Sequence, residues 1–257
     1  MFQDVLELDA FYASPLGQHA RRLVRKAVRA LWPSVRGEAV LGLGYAPPYL
    51  HPLLDEAERV LALMPAAQGC RPWPRDSRNR VALVEEAALP LPNACMDRVL
   101  LSHCVEQSEA LRPMLREVWR VLKPTGRLLV MAPNRRSLWA QLDVTPFGHG
   151  IPFSNGQLQR LLREALFAPG ATQRALFLPP VRSRTVLASA KAWERAGRRW
   201  FPTFCGVILV EASKQLYAGT PLRAEPARMR RPVAATAQAR VAVSPEQPVG
   251  APRAKQG

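Results

Sequence analysis

No stretch of the 257-residue chain holds eighteen consecutive apolar residues, so a membrane-crossing helix is not expected. Cysteine is sparse. Cys70, Cys95, Cys104 and Cys205 are scattered, with no CxxC and no paired histidine spacing, which fits reduced thiols and excludes a recognisable zinc motif. No metal is expected. Acid is scarce as well: 20 Asp and Glu face 36 Lys and Arg, leaving a formal charge of +16. The N-terminus, Met1-Phe2-Gln3-Asp4-Val5-Leu6-Glu7, lacks the basic-then-apolar order of a secretory signal, and the expected location is the cytoplasm. Apolar side chains, by contrast, are plentiful. At 48% they exclude general disorder, and the length suffices for one large core with appendages.

The most informative stretch is Leu89 to Asn134. Asp97-Arg98-Val99-Leu100-Leu101 is a short apolar run, the length of a buried parallel strand. Leu111, Leu115, Val118 and Leu122 then fall at i, i+4, i+7 and i+11, one apolar face of a helix. Lys123-Pro124-Thr125-Gly126 reads as a type I turn that stops it. Arg127 to Ala132 resumes as a strand closed by Pro133. Strand, crossover helix and strand of this length make a βαβ unit, the building block of parallel sheets.

The flanks extend the pattern. Residues 14–32 open with a serine N-cap and a proline at the first helical position. Leu23, Ala27, Ala30 and Leu31 form the apolar side of this helix, and Arg21, Arg22, Arg25, Lys26 and Arg29 a cationic one. Such a face suits a solvated edge of the domain, a membrane surface or a nucleic acid. Glu38 to Gly44 is a first strand running into a glycine turn, followed by a short helix through Leu54 to Glu58. Arg59 to Met64 and Val81 to Val84 are further strands. Past Asn134, Ser154-Asn155-Gly156 precedes an amphipathic helix with Leu158, Leu161, Leu162 and Leu166. Strands near Thr172–Leu178 and Gly206–Glu211 bracket a segment with Trp193 and Trp200 that suits an extra helix. From about Thr220 proline, alanine and arginine dominate, the composition of a disordered basic tail. The expected organisation is a helical segment over 1–36, an α/β domain over 37–219 and the tail over 220–257.

Leu89-Pro90-Leu91-Pro92, Asp97, Ser102-His103, Leu115-Arg116-Glu117, the run from Arg120 to Leu128 and Pro133-Asn134 together resemble class I S-adenosylmethionine-dependent methyltransferases, most closely the small-molecule group termed type 11. The resemblance covers roughly Glu38 to Phe167. It implies a Rossmann-like, doubly wound, mostly parallel seven-stranded sheet with S-adenosylmethionine across the carboxyl ends of its first strands. On that alignment the cofactor-binding positions are Gly42, Gly44, Ala46, Met64, Glu85, Glu86 and Ser102. Two depart from the family pattern: Gly42 stands where an acid is usual, and Met64 where an acid accepts both ribose hydroxyls. Prolines 47 and 48 also remove backbone donors from the turn. Glu85 aligns with the acid that receives the adenine amino group.

His103, with Glu106 nearby, follows the fourth strand where the family places residues between cofactor and substrate; a general base and a packing histidine are the two readings. Asn134, Arg135, Trp139 and His149, with Arg136 and Phe147, occupy the stretch that covers substrate in this fold, and Tyr12 is a candidate lid residue. The leading functional expectation is methyl transfer to a small molecule. A catalytically inactive binding module follows, motivated by Gly42 and Met64, and a nucleic-acid-associated basic protein comes third, since no recognisable binding module accompanies the charge.

Overall fold

The computed structural model describes residues 2–215; the expected tail over 220–257 lies outside them. Seven strands form one sheet in the order β3-β2-β1-β4-β5-β7-β6. They are β1 (Ala39–Gly44), β2 (Arg59–Pro65), β3 (Val81–Val84), β4 (Met96–Ser102), β5 (Leu122–Pro133), β6 (Phe167–Ala175) and β7 (Val207–Lys214). The first five pair in parallel, and β7 inserts antiparallel between β5 and β6. The sheet is therefore mostly parallel, as expected. Every residue of β1 is buried, which explains why it reads as a continuous apolar run rather than an alternating one.

The pleat sorts those runs between two cores. Val40, Val60, Leu100 and Leu129 face one layer, formed by helices α1 (Val5–Ala13), α2 (Pro15–Leu31) and α3 (Pro47–Leu50). Leu41, Leu43, Val99, Leu101, Leu128 and Val130 face the other, where Leu115 and Val118 of α4 (Leu111–Val121) and Leu158 and Leu162 of α5 (Asn155–Glu164) cover them. Successive strand residues thus alternate between cores with period two. Two further helices, α6 (Arg184–Ala188) and α7 (Ala190–Trp200), fill the segment between β6 and β7.

Helix termini follow the sequence signals. Ser14 Oγ accepts from Gly17 N at 3.1 Å with Pro15 behind it. Ser154 and Gln157 close a reciprocal capping box on α5. The expected helix through Leu54 to Glu58 is replaced by α3 and a single 3-10 turn over His51–Leu53. The two prolines explain the shift. At the first helical positions their missing N–H groups cost nothing, so they start the helix rather than precede it. Lys123 to Gly126 does not stand as a free turn but belongs to a longer β5, where pairing jumps from Met96↔Leu122 to Arg98↔Arg127. β6 begins at Phe167, earlier than Thr172, with an irregularity between Pro169 and Thr172. The helical segment expected over 1–36 holds two helices, of which the sequence pattern located only the second; Asp4 caps α1, accepting from Leu6 N.

One carboxylate ties the switch-point strands together. Asp97 Oδ2 accepts from Ala39 N at 3.0 Å and from Lys123 Nζ at 2.8 Å, linking β4 to both neighbours. Burial opposes its charge, but these two donors outweigh it and hold its carboxyl below its ordinary value. The stability this confers is therefore complete above the unfolded-state pKa and is lost as pH falls through the lower folded value. Asp97→Asn is expected to lower unfolding free energy by about 1–2 kcal/mol at pH 7. Urea titrations at pH 7 and pH 3 should show that the gap between wild type and variant narrows in acid.

Candidate functional site

The strand order reverses between β1 and β4, and the crevice at their carboxyl ends is where open α/β sheets place ligands. Helix α1 lies over it. Tyr12, near the end of α1, brings its hydroxyl within 2.7 Å of His103 Nε2 and 2.6 Å of the Tyr49 hydroxyl. Its ring stacks on Tyr45, whose hydroxyl donates to Asp9 of α1. Burial raises the Tyr12 phenol well above its ordinary value, with the neighbouring tyrosine adding to the effect, so it serves as a neutral donor or acceptor.

His103 is the centre of the cluster and has no solvent-exposed surface. Its φ of 50° lies in the left-handed region, an uncommon conformation outside glycine and one that gathers at functional sites. Gln68 Nε2 donates to its carbonyl at 3.0 Å, and Glu106 Oε1 lies 3.4 Å from Nδ1. Phe147 packs on the ring, with centroids 5.0 Å apart. Around this point several buried polar atoms have no partner among the described residues: Gln68 Oε1, His103 Nδ1, Glu106 Oε2 and Gln107 Nε2. Buried polar groups are nearly always paired, so these atoms are the ones left able to take a further hydrogen bond.

The cofactor-aligned residues divide into two groups. At the β1 end, Gly44 (φ 81°) packs so closely that an added Cβ would lie 2.3 Å from the Ser102 carbonyl oxygen. Ser102 Oγ donates to the Tyr45 carbonyl at 3.0 Å, locking the turn to β4. The space an acid would need at Gly42 is taken by Ala46 and Leu50, which an added Cβ would meet at 2.5 and 2.6 Å. Met64 is buried in the apolar core that α1, α2 and α3 form on this face of the sheet. At the β3 end, Glu85 is exposed and Glu86 buried; both line a cleft of about 400 Å³ with Phe2, Pro65 and Ala110. Glu86 Oε1 accepts from Ser108 Oγ at 2.8 Å, while its Oε2 is unpartnered among the described residues.

The substrate-side residues do not converge. Asn134 directs its amide into the β7 approach, donating to the Thr203 and Cys205 carbonyls at 2.8 Å each. Trp139 is buried and donates to the Leu178 carbonyl at 2.6 Å. Arg135 and Arg136 point to solvent. His149 lines a cleft of about 460 Å³ between α1 and residues 143–149, together with Glu7, Phe11, Thr145 and Arg182. Among the described residues no group of His, Cys, Asp and Glu is arranged to hold a metal ion. Sequence reasoning missed Tyr45, Tyr49, Gln68 and Gln107. The two tyrosines beside the glycine turn were the available signal; the glutamines carried none.

A methyltransferase-domain family model matches residues 41–130, which run from β1 through most of β5. The chain has the class I methyltransferase fold. A SAM-dependent methyltransferase of Thermotoga maritima, described as a possible histamine N-methyltransferase, superposes with a TM-score of 0.59 at 18% identity, over 82% of this chain and 96% of that one. The 1,6-didemethyltoxoflavin-N1-methyltransferase of Burkholderia thailandensis, solved with 1,6-didemethyltoxoflavin and S-adenosylhomocysteine bound, aligns at 0.50 and 19%, over 76% and 78%. The [4+2]-cyclase SpnF aligns at 0.54 and 21%, over 78% and 83%. No curated protein matches the chain in sequence. The methyltransferase fold thus includes a cyclase among its members, and activity has to be argued from the site.

The packing at Gly42 yields a direct test. Gly42→Asp, which would introduce the acid usual in the methyltransferases the chain resembles, is expected to destabilise the fold by about 3 kcal/mol or more, through overpacking and a buried unpaired charge. A thermal melt showing unchanged stability would contradict the filled volume around Ala46 and Leu50.

Proposed function

We propose that the chain transfers a methyl group from S-adenosylmethionine to a small-molecule acceptor, and that it binds the cofactor in a way that relies less on carboxylates at β1 and β2 than its family does. The carrying observation is the set of unpartnered buried acceptors along the carboxyl ends of β2, β3 and β4: Gln68 Oε1, Glu86 Oε2 and Glu106 Oε2. S-adenosylmethionine presents an adenine amine, ribose hydroxyls, an ammonium and a sulfonium, so a site for it must supply acceptors and negative charge. The residues present fit that demand. Glu85 and Glu86 would hold the adenine end, Gln68 would face the hydroxyls in place of the acid that Met64 replaces, and Glu106 would face the cationic end. When bound, the cofactor supplies an activated methyl group.

This chain's own contribution is positioning and dryness. Tyr12, Tyr45 and Phe147 exclude water around His103, and effective molarity from such alignment can provide most of the acceleration. His103 is assigned as the group that takes a proton from an acceptor bearing O–H or N–H. A proton on Nδ1 facing Glu106 would leave Nε2 to work through Tyr12. The cleft beside His149 offers the acceptor an entry between α1 and residues 143–149.

A second reading, a binding module without catalysis, is favoured by one observation: the missing ribose carboxylate at the buried Met64. Isothermal titration separates the two. Micromolar to submillimolar binding of S-adenosylmethionine and S-adenosylhomocysteine is expected, and no heat with either at millimolar concentration overturns the enzyme reading. If Met64→Asp creates affinity where there was none, the native site was not built for this cofactor. For an active protein, His103→Asn should lower turnover by about 100-fold or more while cofactor affinity stays within about threefold.

A further inference from the structure

The cationic side of α2 acquires a counterpart only in three dimensions. Arg22 and Lys26 of α2 line a groove of about 890 Å³ whose opposite wall is Lys191, Arg195, Arg198 and Arg199 of α7. None of these six has an ion pair within 4 Å among the described residues, whereas Arg29, Arg71, Arg98, Arg112, Arg120 and Lys123 elsewhere all do. The carboxylate among the lining residues, Glu194, turns inward: it is buried and accepts from Phe177 N at 2.6 Å. Gly197 lets α7 seat this closely, since an added Cβ would lie 2.4 Å from Phe177 Cβ. Six like charges held along one concavity repel one another, and a polyanion is what relieves them.

Beyond Arg198 and Arg199 the chain displays aromatic rings. Trp200 is 70% exposed, Phe201 61% and Phe204 58%, side chains that globular proteins otherwise cover. A cationic groove able to follow a phosphate backbone, with exposed aromatic rings on the residues that come next in the chain, has the two components that bind single-stranded nucleic acid. A bilayer is flat and would meet the rims of the groove rather than the charges within it. We propose that the α2–α7 groove binds single-stranded nucleic acid, with Arg22, Lys26, Lys191, Arg195, Arg198 and Arg199 on the phosphates and Trp200 stacking on a base. The proposal is independent of methyl transfer.

Fluorescence anisotropy of a labelled dT20 oligonucleotide with the full chain tests it. Binding is expected to weaken with salt, as phosphate neutralisation releases counterions. The triple variant Arg195→Gln, Arg198→Gln, Arg199→Gln should lose about 30-fold or more in affinity and flatten the log–log salt slope by about 2, the value for three phosphate contacts on a single strand. A control triple on other surfaces, Arg59→Gln, Arg78→Gln, Arg160→Gln, should lose less than about threefold, allowing for its equal loss of net charge. Trp200→Ala should weaken dT20 binding by about fivefold or more and leave binding to inorganic polyphosphate, which has no bases, unchanged. No oligonucleotide binding at 100 µM protein (a concentration of roughly the non-specific range) overturns the proposal. Equal losses in the two triple variants, equal effects of Trp200→Ala on both probes, or binding to phosphatidylglycerol vesicles without binding to dT20 would each overturn it as well.

Discussion

The Tyr12 hydroxyl holds three parts of the molecule in one place: α1, the helix after β1 and the loop after β4 meet at its bonds to Tyr49 and His103. A buried hydroxyl in this position has no water to exchange with, so each bond is kept on penalty of leaving a donor or acceptor unmet, a cost of about 1–3 kcal/mol. That geometry makes α1 the roof of the sheet's carboxyl end, and it places His103 beyond the reach of solvent. The unpartnered atoms of Gln68, Glu106 and Gln107 lie beneath the same roof. A stable core tolerates several such groups only where its apolar burial is extensive, and here both sheet faces carry contiguous clusters. The site concentrates polar strain that the rest of the fold is large enough to absorb.

The same constraint shapes the turn after β1, whose sequence departs from the pattern of the methyltransferases it resembles. With Pro47 and Pro48 opening it, α3 is one turn long, and its Ala46 and Leu50 flanks fall against β1 at Gly42. Glycine there is a packing requirement: the helix sits where a carboxylate would stand. Tyr45 then turns toward α1 and binds Asp9, adding a second tie between loop and roof. Glycine at position 42 and the seating of α1 over the turn are consequently one packing arrangement seen from two sides.

Much of this architecture is legible in the chain because it depends on local periodicity. The runs at Val40, Val60, Val99 and Leu128 alternate between two cores, and the i, i+4, i+7 spacing of Leu111, Leu115 and Val118 marks α4 without reference to any partner. Ser14 and Ser154 announce their helices by chemistry within four residues. Helix α1 escaped because its apolar residues, Val5, Leu8 and Tyr12, share the stretch with Leu6 and Phe11 and show no clean amphipathic face. Gln68 and Gln107 escaped for a different reason. Their importance comes from contacts across 35 and 104 residues, His103 for the one and Gln3 for the other, which no local pattern encodes. Asn134 shows the converse: it stands in a family motif, yet its amide is committed to the Thr203 and Cys205 carbonyls by a β7 that inserts antiparallel beside β5.

Charge is divided as sharply as polarity. At +16 overall, the protein's mean field opposes any cationic ligand, and a sulfonium approaching from solvent would be repelled at low salt. Screening confines that field to about 8 Å at physiological ionic strength, so beside the carboxyl ends of β3 and β4 the nearby Glu85, Glu86 and Glu106 weigh more than the net charge. Most other acids near arginines are already paired: Glu38 with Arg98, Glu56 with Arg29, Glu117 with Arg120. The Arg120 guanidinium holds the Glu117 carboxyl below its ordinary value, and Glu117 in turn accepts from Leu89 N, which fixes the loop entering β4. Among the described residues, acids without an arginine or lysine partner thus gather at the carboxyl end of the sheet, at Glu85, Glu86 and Glu106, and basic side chains without an acidic partner line the groove between α2 and α7.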